Sequence, residues 1–214
     1  MGATEPMATP AQLMEAMSEA TGVPLATVVD MDRRLVKAGL RTKGGRGFNV
    51  AQVTPLDAAR LLTAILASSQ ANLAADAVER YAQTRIDKVR SSEGRFATTE
   101  LDDLASLPTR HGFVTALAAL IASASTGSLA KLIAGSANHA MPRIEVFAFT
   151  RGTRGRIRIS GLPNGMAASV EYVPVEASKA PHNEERGDLE QSRRVTEQTI
   201  VPIARLLAEE SPDD

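Results

Sequence analysis

Apolar residues in this chain recur every three or four positions as far as residue 137, then alternate from residue 143 onward. This change of period constrains the fold more than any other feature. A helix brings residues i, i+3 and i+4 onto one face, whereas a strand turns successive side chains to opposite faces. A run of helices followed by a run of strands is the pattern of an α+β protein, not of repeated β-α-β units. The expected fold is therefore α+β, helical at first, with a small antiparallel β-unit near the C-terminus.

The helical part begins with "TPAQLMEAMSEATG". Thr9 suits the cap and Pro10 the first helical position, Leu13, Met14 and Met17 form a stripe, and Gly22 ends the helix. "PLATVVDMDRRLVKAGL" follows, with Leu25, Val28, Val29, Met31, Leu35 and Val36 on a broad apolar face and Gly39 as its stop. "LRTKGGRGFNVAQVT" (40–54) reads as a β-hairpin turning at Gly44 and Gly45. "TPLDAARLLTAILAS" opens another helix, with Asp57 three residues after Thr54 as in a capping box. "NLAADAVERYAQTRIDKV" extends the helical reading to Val89. "TTELDDLASL" reads as a short capped helix, and 112–137 as one or two Ala-rich helices forming a buried hairpin.

Strands are expected at 143–149, 156–160 and 169–175. "EASKAPHNEERGDLEQSRR" reads as a polar linker. "VTEQTIVPIARLLAEE" is an amphipathic helix that Pro202 should kink or restart, and it leads into an acidic tail. The resulting division is 1–69, 70–138, 139–175 and 176–214.

Composition limits the chemistry. There is no cysteine, which excludes disulfides, thiolate zinc sites and a cysteine nucleophile. No basic region followed by an apolar run opens the chain, so no secretory signal is visible. The only membrane candidate, 112–135, is broken by Ser125, Thr126, Gly127, Ser128 and Lys131 before it reaches the ~20 apolar residues that a span needs. A cytoplasmic protein without membrane contact is expected. His111, His139 and His182 are far apart, and no pair has metal-ligand spacing. Asp102 and Asp103 are adjacent and point apart on a helix. "TKGGRG" lacks the Gly-x4-Gly-Lys-Ser/Thr order of a phosphate-binding loop. No catalytic residue, metal ligand or cofactor is therefore assigned.

Positive charge is concentrated, although the whole chain carries a formal net charge of only −1. Arg33, Arg34, Lys37, Arg41, Lys43 and Arg46 follow one another with no acid between them, beside Gly44, Gly45 and Gly47. Thr27, Asp30, Arg34 and Lys37 share the helix face opposite the apolar one, with Arg33 at its edge. Such a face is free to meet a polyanion, and arginine matches the O6 and N7 edge of guanine.

The order helix, tight turn, helix, ribbon, helix over about residues 8–69 resembles a winged helix-turn-helix of bacterial and phage DNA-binding proteins. The residues that carry the resemblance are "ATGVP", Val28 and Met31, "LVKAGL" and the wing-like "RTKGGRGFNV". It implies sequence-dependent binding of double-stranded DNA by a transcriptional regulator. The DNA-facing set would be Thr27, Asp30, Arg33, Arg34, Lys37, Arg41, Lys43 and Arg46. Two-fold dimers are the commonest closed assemblies, so a homodimer built by residues after 70 is expected. The competing expectation is a phage assembly component such as a small terminase subunit, which also combines a helix-turn-helix, helices and a terminal β-element. A second basic cluster, Arg151, Arg154, Arg156 and Arg158, alternates with Ile157 and Ile159. It reads first as a strand edge protected by charge, and second as a further nucleic-acid contact.

Overall fold

Two Thr-Pro dipeptides set where the first and third helices begin. In a computed structural model, which describes residues 8–42, 52–92, 96–135, 141–149, 152–163, 165, 167–175 and 191–208, Thr9 starts α1 (Pro10–Thr21) with a full capping box. The Thr9 amide donates to Gln12 Oε1 at 2.8 Å, and the Gln12 amide donates back to the Thr9 hydroxyl. Thr54 does the same with Asp57 at the start of α3 (Pro55–Ala67). Gly22 ends α1 at φ 71°, a left-handed conformation that costs glycine little, and α2 (Leu25–Lys37) follows at once. The hairpin expected at 40–54 falls largely on residues 43–51, outside the described residues. At its far end the Val53 amide donates to the Ala8 carbonyl at 3.1 Å, tying that end to the start of α1.

A 3-10 turn (Ala71–Leu73) leads into α4 (Ala74–Ala82). The helix expected to reach Val89 ends here. Thr84–Ile86 is instead a strand, β1, and Val89 is 83% exposed. The reason is tertiary. Thr84 donates to the Tyr81 carbonyl and accepts from the Phe113 amide, and the Asp87 amide donates to the Glu171 carbonyl at 2.8 Å. These bonds to distant elements outweigh a helical pattern that is equally readable over so short a stretch.

The short α5 (Asp102–Ala105) has no side-chain cap at Leu101, contrary to the capped start expected there. α6 (Phe113–Ser125) and α7 (Ser128–Gly135) meet at 69° across Gly127, so the expected hairpin is a corner. No single helix among the described residues is long and apolar enough to cross a membrane. The apolar side of α6 is spent inside the chain, where Phe113, Leu117, Leu120 and Ile121 are fully buried.

The sheet contains β2 (Arg143–Phe149), β3 (Arg154–Ser160), β4 (Ala168–Pro174) and β5 (Ser192–Thr196), in the order β1-β4-β3-β2-β5 and antiparallel throughout. The polar linker expected to run through Arg194 therefore ends earlier, because Ser192–Thr196 pairs with the free edge of β2. Little apolar pattern marks this strand. Arg193 anchors it by donating from Nη1 to the carbonyls of Ile65 (2.8 Å) and Ser68 (2.6 Å) at the end of α3. A cation there also faces the negative end of that helix. α8 (Glu197–Leu207) continues directly from β5 and runs through Pro202 without restarting.

One face of the sheet is covered by helices. Ile144, Val146, Ile157, Ile159, Val170 and Tyr172 all point that way and are fully buried. Gly155 lies directly beneath Phe113, where a Cβ would sit 2.4 Å from the ring. The core is continuous. It runs from Leu13 and Met17 through Leu35, Leu61 and Leu117 to Ile157 and Ile203, across the boundaries suggested at 69, 138 and 175.

Candidate nucleic-acid interfaces

On α2 the apolar side is buried at Val28, Met31 and Leu35, while Arg33, Arg34 and Lys37 are exposed. Asp30 sits one turn before Arg34 and pairs with it at 3.5 Å, both side chains being nearly half exposed. Such a surface pair is worth only about 0.3–0.5 kcal/mol, so it leaves Arg34 free to change partners. Thr27, on the same side of α2, is half-buried. It lines a cavity of about 430 Å3 between α2, the end of α3 and β5, together with Met31, Ile65, Ser68 and Val195.

Arg41 does not belong with the exposed cations. It is 5% exposed and forms an ion pair with Asp32, itself 6% exposed. Gly39, at φ 72°, turns the chain back after α2 and brings Arg41 against the helix it has just left. Burial pushes the Asp32 carboxyl above its usual range, an effect that Arg41 partly offsets. Beside this pair, Arg60 Nη1 donates to the Leu40 carbonyl at 2.6 Å, and the Thr42 amide donates to Asp57 at 3.5 Å. Arg41 is thus a positioning residue that fixes where the glycine-rich segment departs. Lys43 and Arg46 lie outside the described residues.

The second basic cluster is not at a sheet edge. β3 is the central strand of five, so edge protection does not account for its arginines. They lie on the face opposite the helices. Arg154 (3.2 Å), Arg156 (2.8 Å) and Arg90 (3.4 Å) converge on the buried carboxylate of Glu171 in β4. Burial lowers the pKa of Arg154 from its usual value, and Glu171 works against that shift. Arg158 and Arg194 share Glu145 at 3.9 and 2.8 Å.

Two aromatic rings lie among them. Phe147 and Phe149 are stacked, with centroids 6.0 Å apart. The Arg154 guanidinium sits 4.2 Å over the Phe149 ring, and Arg194 sits 6.0 Å from Phe147. Arg151 lies outside the described residues.

Sequence reasoning missed Arg90, Arg194, Glu145, Glu171, Phe147 and Phe149 as members of this cluster. The alternation in "RIEVFAF" and "SVEYVPV" places Glu145, Phe147, Phe149 and Glu171 opposite the buried aliphatic residues. What it cannot supply is the strand order that joins them.

His111 is buried against the helix-covered face. Its Nδ1 donates to the Pro108 carbonyl at 2.7 Å, so in the neutral ring Nε2 accepts the Tyr172 hydroxyl proton at 2.9 Å. His139 and His182 lie outside the described residues. Among the described residues, no group of three or more His, Asp or Glu side chains is gathered as metal ligands would be. Comparison of the chain with protein-family models, with curated proteins and with solved structures gives no match.

Proposed function

We propose that the chain binds double-stranded DNA through a winged helix-turn-helix. In this reading α2 enters the major groove and the segment after Thr42 is the wing. The observation that carries the reading is the outer side of α2, where Arg33, Arg34 and Lys37 stand exposed and Arg34 pairs with Asp30. A helix packed on one side and cationic on the other has the form that groove entry requires. The Asp32–Arg41 pair supports it by fixing the exit of the chain toward Lys43 and Arg46.

The role follows as transcriptional regulation by sequence-dependent binding. Arg34 reads a base edge, while Arg33, Lys37 and the wing cations hold phosphates. The apolar side of α6 and the Ile157/Ile159 face are buried within the chain, so the expected dimer forms through a different surface.

Fluorescence anisotropy with a selected duplex and with random duplexes tests this division of labour. Arg34→Ala should cost about 1–3 kcal/mol on the selected site and little on random DNA. Lys37→Ala should weaken both about equally. Identical behaviour of the two variants on both kinds of DNA would remove base reading from α2.

A further inference from the structure

We propose that the open face of the sheet is a second binding surface, for single-stranded nucleic acid. The inference is independent of the α2 reading and uses none of its residues. Its first support is charge. Among the described residues, Arg90, Arg154, Arg156, Arg158 and Arg194 pair with Asp87, Glu145 and Glu171, five cations to three acids. By strand alternation, Arg85 of β1 and Arg143 of β2 lie on the same face as these arginines. The arginines at the outer end of this array are open, with the side chains of Arg158 and Arg194 52% and 50% exposed.

The second support is geometry. In one row across the sheet, Glu171, Arg156, Phe147 and Arg194 are cross-strand neighbours, and in the next, Arg154 pairs with Phe149. Flat groups, guanidinium and ring, therefore alternate across a surface of fixed spacing. Phe149 is buried beneath the Arg154 guanidinium, whereas the Phe147 ring stacked beside it is only half-buried and is the one that a flat group can still cover. Unstacked bases are the polyanion-borne groups that stack on rings and guanidinium planes.

A duplex would use the charges and leave the rings idle, because its bases are stacked on one another. An anionic membrane would likewise use only the charges. The half-buried Phe147 ring thus selects the single strand. Glu171, buried beneath three arginines, holds the guanidiniums in place so that their ordering is complete before a ligand arrives.

The test is anisotropy of the full chain with a fluorescein-labelled oligothymidylate, beside a labelled duplex and vesicles of mixed phosphatidylserine and phosphatidylcholine. The wild type should bind the oligothymidylate. Phe147→Leu keeps the apolar volume and should weaken that binding by about tenfold, in the range for one lost base–aromatic stack. R158Q/R194Q leaves the buried Glu171 cluster alone and should make the log–log salt slope shallower by about 1.4, at ~0.7 per phosphate of a single strand.

A variant with α2 stripped of charge, R33A/R34A/K37A, should bind the oligothymidylate as the wild type does. Circular dichroism melts identify any variant that has lost its fold, and each surviving variant is decisive by itself. Failure of the wild type to bind the oligothymidylate, unchanged affinity in Phe147→Leu, or loss of binding in the α2 variant would overturn the proposal. So would binding to duplex or vesicles that R158Q/R194Q abolishes while the oligothymidylate competes for neither.

Discussion

Arg41 illustrates what a residue does when its surroundings are known. By sequence it is one of six neighbouring cations, yet it is buried against Asp32. Removing one member of such a pair strands the other charge. Asp32→Ala should therefore cost about 3–5 kcal/mol, read as the midpoint of urea unfolding. The double variant D32L/R41M removes both charges and should recover most of that loss, since well-packed apolar substitutes for a buried pair are often neutral. A double variant as unstable as the single one would mean that Arg41 serves stability through something other than this pair.

The same site carries a pH signature. The folded state raises the Asp32 pKa above 3.8, so it holds that proton more tightly than the unfolded chain. The contribution of this group to stability is then fully present below pH 3.8 and declines as pH rises through the folded value. Asp32→Asn should lack that decline when midpoints are compared with the wild type from acid to neutral pH. Gly155→Ala is the opposite kind of change, adding a methyl where the Phe113 ring already stands. It should destabilise by about 1–3 kcal/mol, the usual cost of overpacking a core.

At the scale of elements, legibility followed the physical origin of each signal. α1, α2 and α3 were readable because capping residues and apolar stripes are local properties. β2, β3 and β4 were readable because their alternation is local too. β1 and β5 were not, because what makes them strands lies elsewhere in the chain. Thr84 is held by the Phe113 amide and the Asp87 amide by the Glu171 carbonyl, and Arg193 by the carbonyls of Ile65 and Ser68 at the end of α3.

The candidate site divides in the same way. Arg33, Arg34 and Lys37 could be placed on an outer helix face by counting alone. The gathering of Arg90, Arg156 and Arg194 needed the order β1-β4-β3-β2-β5. Arg193→Ala should accordingly act as an element-level lesion. It leaves the Ile65 and Ser68 carbonyls without this donor, at a cost of about 1–3 kcal/mol. Hydrogen exchange should quicken in β5 before it does in β3. Equal quickening in both strands would mean that β5 is not docked through Arg193.

Across the whole molecule, one core joins the parts that composition and period suggested separating. α1 packs against α8, and α3 against α6, so the first helices bury their apolar faces partly on residues far along the chain. A fragment ending at residue 69 would uncover Leu61, Leu62 and Ile65. It should therefore lack a cooperative thermal transition by circular dichroism. A sharp transition in the fragment would restore an independent N-terminal unit.

The intact chain is consequently the right object for the most direct test of DNA binding by α2. That test is the salt dependence of duplex affinity. Three or four phosphate contacts from Arg33, Lys37 and the wing give a log–log slope of about −2.7 to −3.6, at ~0.9 per contact. The R33A/R34A/K37A variant loses two phosphate contacts and should be shallower by about 1.8 on the same scale, while R158Q/R194Q keeps the wild-type slope. A wild-type slope near zero, or one that the α2 variant leaves unchanged, would contradict the account.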